Sequence, residues 1–246
     1  ALTNDTVVGW YGVVYKWIDA INVIPSFFTQ ALFPVMSRQA HEDRAALKRS
    51  YIFSVKLLTL ISLPGAVVTT LLAYALVGLL GGEQFLPAGA IALQVFVWSI
   101  PFGWINSVTN YLIIALNRQR VLTWAFIFGA VFNITVNLIL IPRYSFVAAA
   151  VTTILSEFVL LAFFYLVLIG PLGPINWARI LWRIAAAAGL MGTVAYLLAP
   201  VNLPVALAGS VIVYTGAIVL LKPFDADERA RLAGLLPARF RPAETE

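Results

Sequence analysis

Apolar residues in this chain gather into long blocks, and the charged residues fall between them. The blocks do not alternate apolar with polar positions, which excludes the strands of a β-barrel. A helix needs roughly 20 apolar residues to cross a hydrocarbon core about 30 Å thick. Seven blocks reach that length, at about 7–36, 46–80, 88–116, 121–141, 146–169, 180–199 and 203–221. The first two are long enough to tilt or to project beyond the lipid. The connections between blocks are short. Gly81, Gly82 and Pro87 break the chain at 81–87, and Pro171, Gly173 and Pro174 break it at 170–179. Beyond residue 221 the chain turns polar, and 226–236 reads as a short interfacial helix. The pattern predicts an all-α, polytopic membrane bundle of about seven transmembrane helices over residues 1–221, followed by a tail over 222–246.

Composition sharpens this. The chain of 246 residues is 61% hydrophobic and only 11% charged, against about 25% charged in an ordinary soluble domain. Its net charge of +5 does not point to nucleic acid, because the basic residues sit at the ends of blocks rather than on one soluble face. If seven spans alternate across the membrane, thirteen of the 16 lysines and arginines fall on one side. They are Arg38, Arg44, Lys48, Arg49, Arg118, Arg120, Arg179, Arg183, Lys222, Arg229, Arg231, Arg239 and Arg241, while the other side has Arg143 alone. The positive-inside rule then predicts an N-terminus outside and a C-terminus in the cytoplasm. There is no cysteine, so disulfides are excluded. His41 is the only histidine, so no His/Cys cluster offers a metal site, and no phosphate-binding GxxxxGK[ST] loop occurs. No cofactor is expected. The chain opens at Ala1 on a short polar stretch without a signal-peptide pattern, and it is expected to be a piece of a longer protein.

Polar groups inside the blocks are the candidate chemistry, because a charge within lipid is costly and marks a function or a specific partner. Lys16 and Asp19 lie three residues apart, on one face of the first helix. They form either a self-neutralising pair or part of a polar cavity wall. Asn22, Ser26, Thr29 and Gln30 extend the same stripe. Lys56 lies about a turn and a half into the second block, where it either snorkels to the interface or faces a cavity. Glu157 is near the middle of the fifth block, where it is protonated, paired with a base or used in ion coupling. Asp19 is the other candidate for coupling. Asn106 and Asn110 form one i, i+4 pair that can line a cavity; Asn133 and Asn137 form another, read as interhelical glue. Pro25, Pro64 and Pro101 interrupt three consecutive spans and are candidate hinges. The tryptophans Trp10, Trp17, Trp98, Trp104, Trp124, Trp177 and Trp182 include several candidate interface anchors.

Three passages carry a family resemblance. Val8, Gly9, Tyr11 and Tyr15, followed by Leu32, Phe33, Pro34, Ser37 and Arg38, resemble a "VG-Y-A-Y … LFP-S-R" segment of the bacterial polysaccharide (O-antigen, Wzx-type) flippases. GGEQFLPAG at 81–89 is similar to the same family's "GEQF-PA" passage. FNITVNLILIPRYSFVAAAVTTILSE at 132–157 is similar to its "N-LNLILIPRYG" passage, with Ser145 where the family usually has glycine. The resemblance covers roughly Val7 to Glu157. It implies the multidrug/oligosaccharidyl-lipid/polysaccharide exporter superfamily, whose members place two helical lobes around a central cavity. This chain would be one lobe, the later half, with the N-terminal lobe supplied by the same full-length chain or by a second polypeptide. The implied function is flipping of undecaprenyl-pyrophosphate-linked oligosaccharide across the bacterial plasma (inner) membrane by alternating access. Lys16, and then Lys56, would meet the anionic head group, and the prenyl tail would stay among membrane lipids. The alternatives are a drug/cation antiporter or lipid II flippase of the same superfamily, a membrane glycan polymerase or ligase, and an inactive remnant. No catalytic residue is expected.

Overall fold

The computed structural model describes residues 5–235; Arg239 and Arg241 lie outside the described residues, as do the side chains of Val8, Trp10 and Tyr11. Every described element is helical. Helix α1 is Asp5–Glu42, α2 is Arg44–Gly81, α3 is Ala88–Phe96, α4 is Ile100–Ala115, α5 is Gln119–Leu172, α6 is Trp177–Leu198, α7 is Leu203–Leu221 and α8 is Ala226–Leu235. Six of these stretches are long and apolar enough to cross a membrane, with α3 and α4 together making one. The protein is a multi-pass membrane protein.

Two long helices depart from the simple block reading. The 54 residues of α5 are not one rod, because Ser145 inside it has φ 52° and ψ −134°. The chain doubles back there. Phe126 meets Phe164 edge to face, Phe128 stacks on Phe163, and Asn133 donates to Ser156 at 2.9 Å. Such pairs, symmetric about residue 145, belong to an antiparallel hairpin with arms 119–144 and 146–172. At the close approach of the arms, a Cβ on Gly129 would stand 3.0 Å from Leu160. The block at 88–116, in contrast, is broken in the middle. Ser99 donates to the carbonyl of Phe96 in a 3-10 turn, Val97–Ser99, and Pro101 then opens α4. A proline is tolerated in a first turn, where its missing N–H has no carbonyl to serve.

α2 is the central column, packed against α1, α3, α4, α6 and α7. The main core lies between α1, α2, α3, α4 and the C-terminal arm of α5, around Tyr51, Leu58, Leu93, Trp104, Leu112 and Phe164. Trp104 is therefore a core residue and not an interface anchor. A second, smaller core joins Val67 of α2 to Ala187, Met191 and Tyr214 of the α6–α7 hairpin. Pro64 explains where α7 docks. Proline has no N–H to offer the carbonyl four residues back, and the Tyr214 hydroxyl donates to that carbonyl, Leu60 O, at 2.7 Å.

The GGEQF passage has a packing cause. A Cβ on Gly81 would stand 2.6 Å from Val13 and 2.9 Å from the Phe85 ring. The Phe85 side chain thus fills a socket that only a glycine leaves open, and Gly9 of α1 borders the same ring.

Basic side chains gather at one end and close off exposed carbonyls there. Lys48 donates to Pro174 O, Arg118 to Val167 O and Arg183 to Lys222 O. At the same end Asp43 caps α2, its carboxylate accepting the N–H groups of Ala45 and Ala46. Those two hydrogen bonds, led by Ala46, hold the Asp43 carboxyl below the usual aspartate value of 3.8.

Candidate functional site

Beside the buried Ser99 and Ile100 at the α3–α4 break, a cavity of about 230 Å³ opens between α1, α4 and the C-terminal arm of α5. Tyr15, Asp19 and Asn22 line it from α1, Gly103 from α4, and Thr153 and Glu157 from α5. Residues as far apart in sequence as Tyr15 and Glu157 thus border one chamber. Gly103 leaves room for the Glu157 carboxyl, which lies 3.6 Å from where a Cβ would stand. Asn106, buried one turn below Gly103, donates to Glu157 Oε2 at 2.8 Å and to its backbone carbonyl at 2.8 Å. The buried Trp104 indole donates to Asn22 Oδ1 at 3.0 Å, which fixes α1 to α4 at the cavity.

Beside the apolar Ile18, Phe96 and Ile100, the lining offers oxygen donors and acceptors with two carboxyl groups and no lysine or arginine. Such a site suits a proton, a small cation or the hydroxyls of a sugar, and it repels an anion. No group of three or more histidine, cysteine or acidic residues arranged for a metal occurs among the described residues.

The sequence candidates are distributed as follows. Asp19, Asn22 and Glu157 share the cavity, and Asn106 supports it through Glu157. Asn110 lies one turn further along α4, its buried Oδ1 without a partner, as is the Oδ1 of Asn106. Lys16 and Gln30 are exposed on α1. Lys16 makes no ion pair with Asp19; the ion pairs among the described residues are Arg38–Glu42, Arg49–Asp43 and Lys56–Glu228. Lys56 lies apart from this cavity, on the α6 side of α2, where it donates to both oxygens of Glu228 at 2.9 and 2.6 Å. Pro25 and Pro64 lie within unbroken helices, and Pro101 stands at the break. Ser99 and Trp104 carry nothing in the sequence that marks them as cavity residues. Pro101 two positions after Ser99 is the signal that foretells a break there. For Glu228, the signal is the capping box that Asp225 and Glu228 form at the start of α8, each side chain accepting the other's N–H.

Residues 1–90 match the family model described as polysaccharide biosynthesis protein. An uncharacterized membrane protein of Methanocaldococcus jannaschii is 25% identical over 163 residues, covering 65% of this chain and 31% of the relative. Among solved structures, the lipid II flippase MurJ in an inward closed conformation superposes with a TM-score of 0.65 at 13% identity, over 91% of this chain and 48% of that one. The sequence match is confined to residues 1–90 of the 246, and the likeness to the solved structure is one of fold. The chain shares its helical arrangement with about half of that structure and spans about half, or less, of the length of the proteins it matches.

Proposed function

We propose that this chain is one lobe of a transporter that flips a lipid-linked oligosaccharide across a bacterial plasma (inner) membrane by alternating access. The observation that carries the reading is the polar face of α1. Lys16, Asp19, Ser26 and Gln30 are all exposed along a span otherwise suited to lipid. Bare carboxylate and ammonium groups are costly in hydrocarbon, so this face belongs against water or a second protein lobe. A second lobe facing α1 would enclose a path, with the Asp19–Glu157 cavity in its wall. The match of residues 1–90 to a polysaccharide biosynthesis family supports a glycan cargo.

In this reading the exposed ammonium of Lys16 meets the anionic head group, and the carboxyls of Asp19 and Glu157 take up a proton or cation that drives the cycle. The prenyl tail stays in lipid. The charged end, with Lys48, Arg118 and Arg183, faces the cytoplasm, and the N-terminus of the chain faces the periplasm. The protein moves its substrate and makes or breaks no bond in it.

The test is rescue. The full-length protein should restore surface polysaccharide in a strain lacking its own flippase. Absent rescue, together with increased drug resistance, would favour a drug/cation antiporter instead. Rescue of a strain lacking its lipid II flippase alone would place the cargo in peptidoglycan synthesis.

A further inference from the structure

The seam between α2 and α6 is closed at one end and open at the other. At the charged end, Trp177 of α6 packs edge to face on the buried Tyr51 of α2, with centroids 5.7 Å apart. Across that end lies α8. Phe224, buried, packs edge to face on Phe53 of α2. Glu228 accepts from Lys56 of α2, and both side chains are about nine-tenths buried. Arg183 of α6 donates to Lys222 O at 2.7 Å, holding the turn that leads from α7 into α8. Three contacts therefore tie this short segment to α2 and α6 together.

Toward the other end the same seam opens into an apolar groove of about 450 Å³. Val67 and Leu71 of α2, Trp98, and Gly189, Gly192 and Tyr196 of α6 border it. Pro64, whose neighbouring carbonyl is held by Tyr214, stands between the closed end and the groove.

We propose that α8 is a strap pinned by the Lys56–Glu228 pair, which makes the charged end of the α2–α6 seam the fixed end of a hinge and leaves the groove end free to widen and narrow. A buried ion pair suits a pin. Removing one partner strands the other charge in a dry site, so the strap is held strongly when paired and released when it is not. Among the described residues, the largely apolar groove end has no ion pair of this kind.

Paired spin labels test this in the full-length protein in lipid nanodiscs. The chain has no cysteine of its own, so Ala45→Cys with Ala178→Cys reports the strap end, and Tyr74→Cys with Tyr196→Cys reports the groove end. The expected wild-type result is a narrow distance distribution at the strap end and one at least twice as wide at the groove end. Glu228→Gln should widen the strap-end distribution at least twofold, and exchanging the charges (Lys56→Glu with Glu228→Lys) should narrow it again. If Glu228→Gln fails to accumulate, Phe224→Ala loosens the strap without stranding a charge and should widen the same distribution. A strap-end distribution unchanged by these variants, or a groove end as narrow as the strap end, would overturn the proposal.

Discussion

Ser145 turns the α5 hairpin with φ 52° and ψ −134°, a backbone conformation that a side chain disfavours and glycine adopts freely. Holding a non-glycine residue there costs on the order of 1 kcal/mol. Ser145→Gly should therefore stabilise the protein by about 1 kcal/mol, read as a raised Tm in detergent; an unchanged or lower Tm would mean the turn is not under strain. Gly81 is the opposite case. A Cβ there meets Val13 and Phe85 at 2.6 and 2.9 Å, so Gly81→Ala should destabilise by about 1–3 kcal/mol through overpacking. Glu157 stood out in the sequence because a lone carboxylate in an apolar block has few explanations. Its company did not, because Asp19 and Ser99 reach it only through folding. Glu157→Gln keeps an acceptor for Asn106 while removing the charge, so export should fall with protein level unchanged if the carboxyl carries a proton or cation. Asp43 titrates at the α1–α2 turn. Its folded-state value is depressed, so the cap's contribution is complete above the unfolded value and disappears as pH falls through the lower folded one. Asp43→Ala should remove that acid-sensitive component, which hydrogen exchange at Ala45 and Ala46 can follow.

Helices were legible where hydrophobic blocks end in breakers. The α7 bounds follow from Asn202, whose side chain accepts the Val205 N–H, and from the charged Lys222 after the last apolar residue. The break at Val97–Ser99 was legible only through Pro101, because Phe96, Val97 and Trp98 continue the apolar run without a glycine. Lys56 was legible as unusual, but its partner lies 172 residues away on an element that has no apolar block. Docking of α7 adds to its apolar core one polar contact that no periodicity announces. Pro64 leaves Leu60 O without its helical donor, and Tyr214 supplies one. Tyr214→Phe should orphan that carbonyl and loosen the α6–α7 hairpin by about 1 kcal/mol. Faster exchange in α7, with α1 and α4 unaffected, is the expected signature; equal exchange throughout would mean the contact is dispensable.

The whole molecule is one helical body in which α1–α5 build a core beside a polar cavity, and α6–α7 ride on the outer face of α2. The side of α1 that carries Lys16, Asp19 and Gln30 is exposed among the described residues, and the fold it resembles spans about twice this length. That exposed polar face is the feature on which the proposed transport of an anionic, sugar-bearing lipid rests. The most direct measurement is export of lipid-linked glycan by the full-length protein carrying Lys16→Ala or Lys16→Arg, normalised to protein in the membrane. Losing a charge-assisted contact to a phosphate is worth roughly 1.5–3 kcal/mol, so Lys16→Ala should lower export about tenfold or more, and Lys16→Arg should retain most of it. Undiminished export by Lys16→Ala would contradict the account.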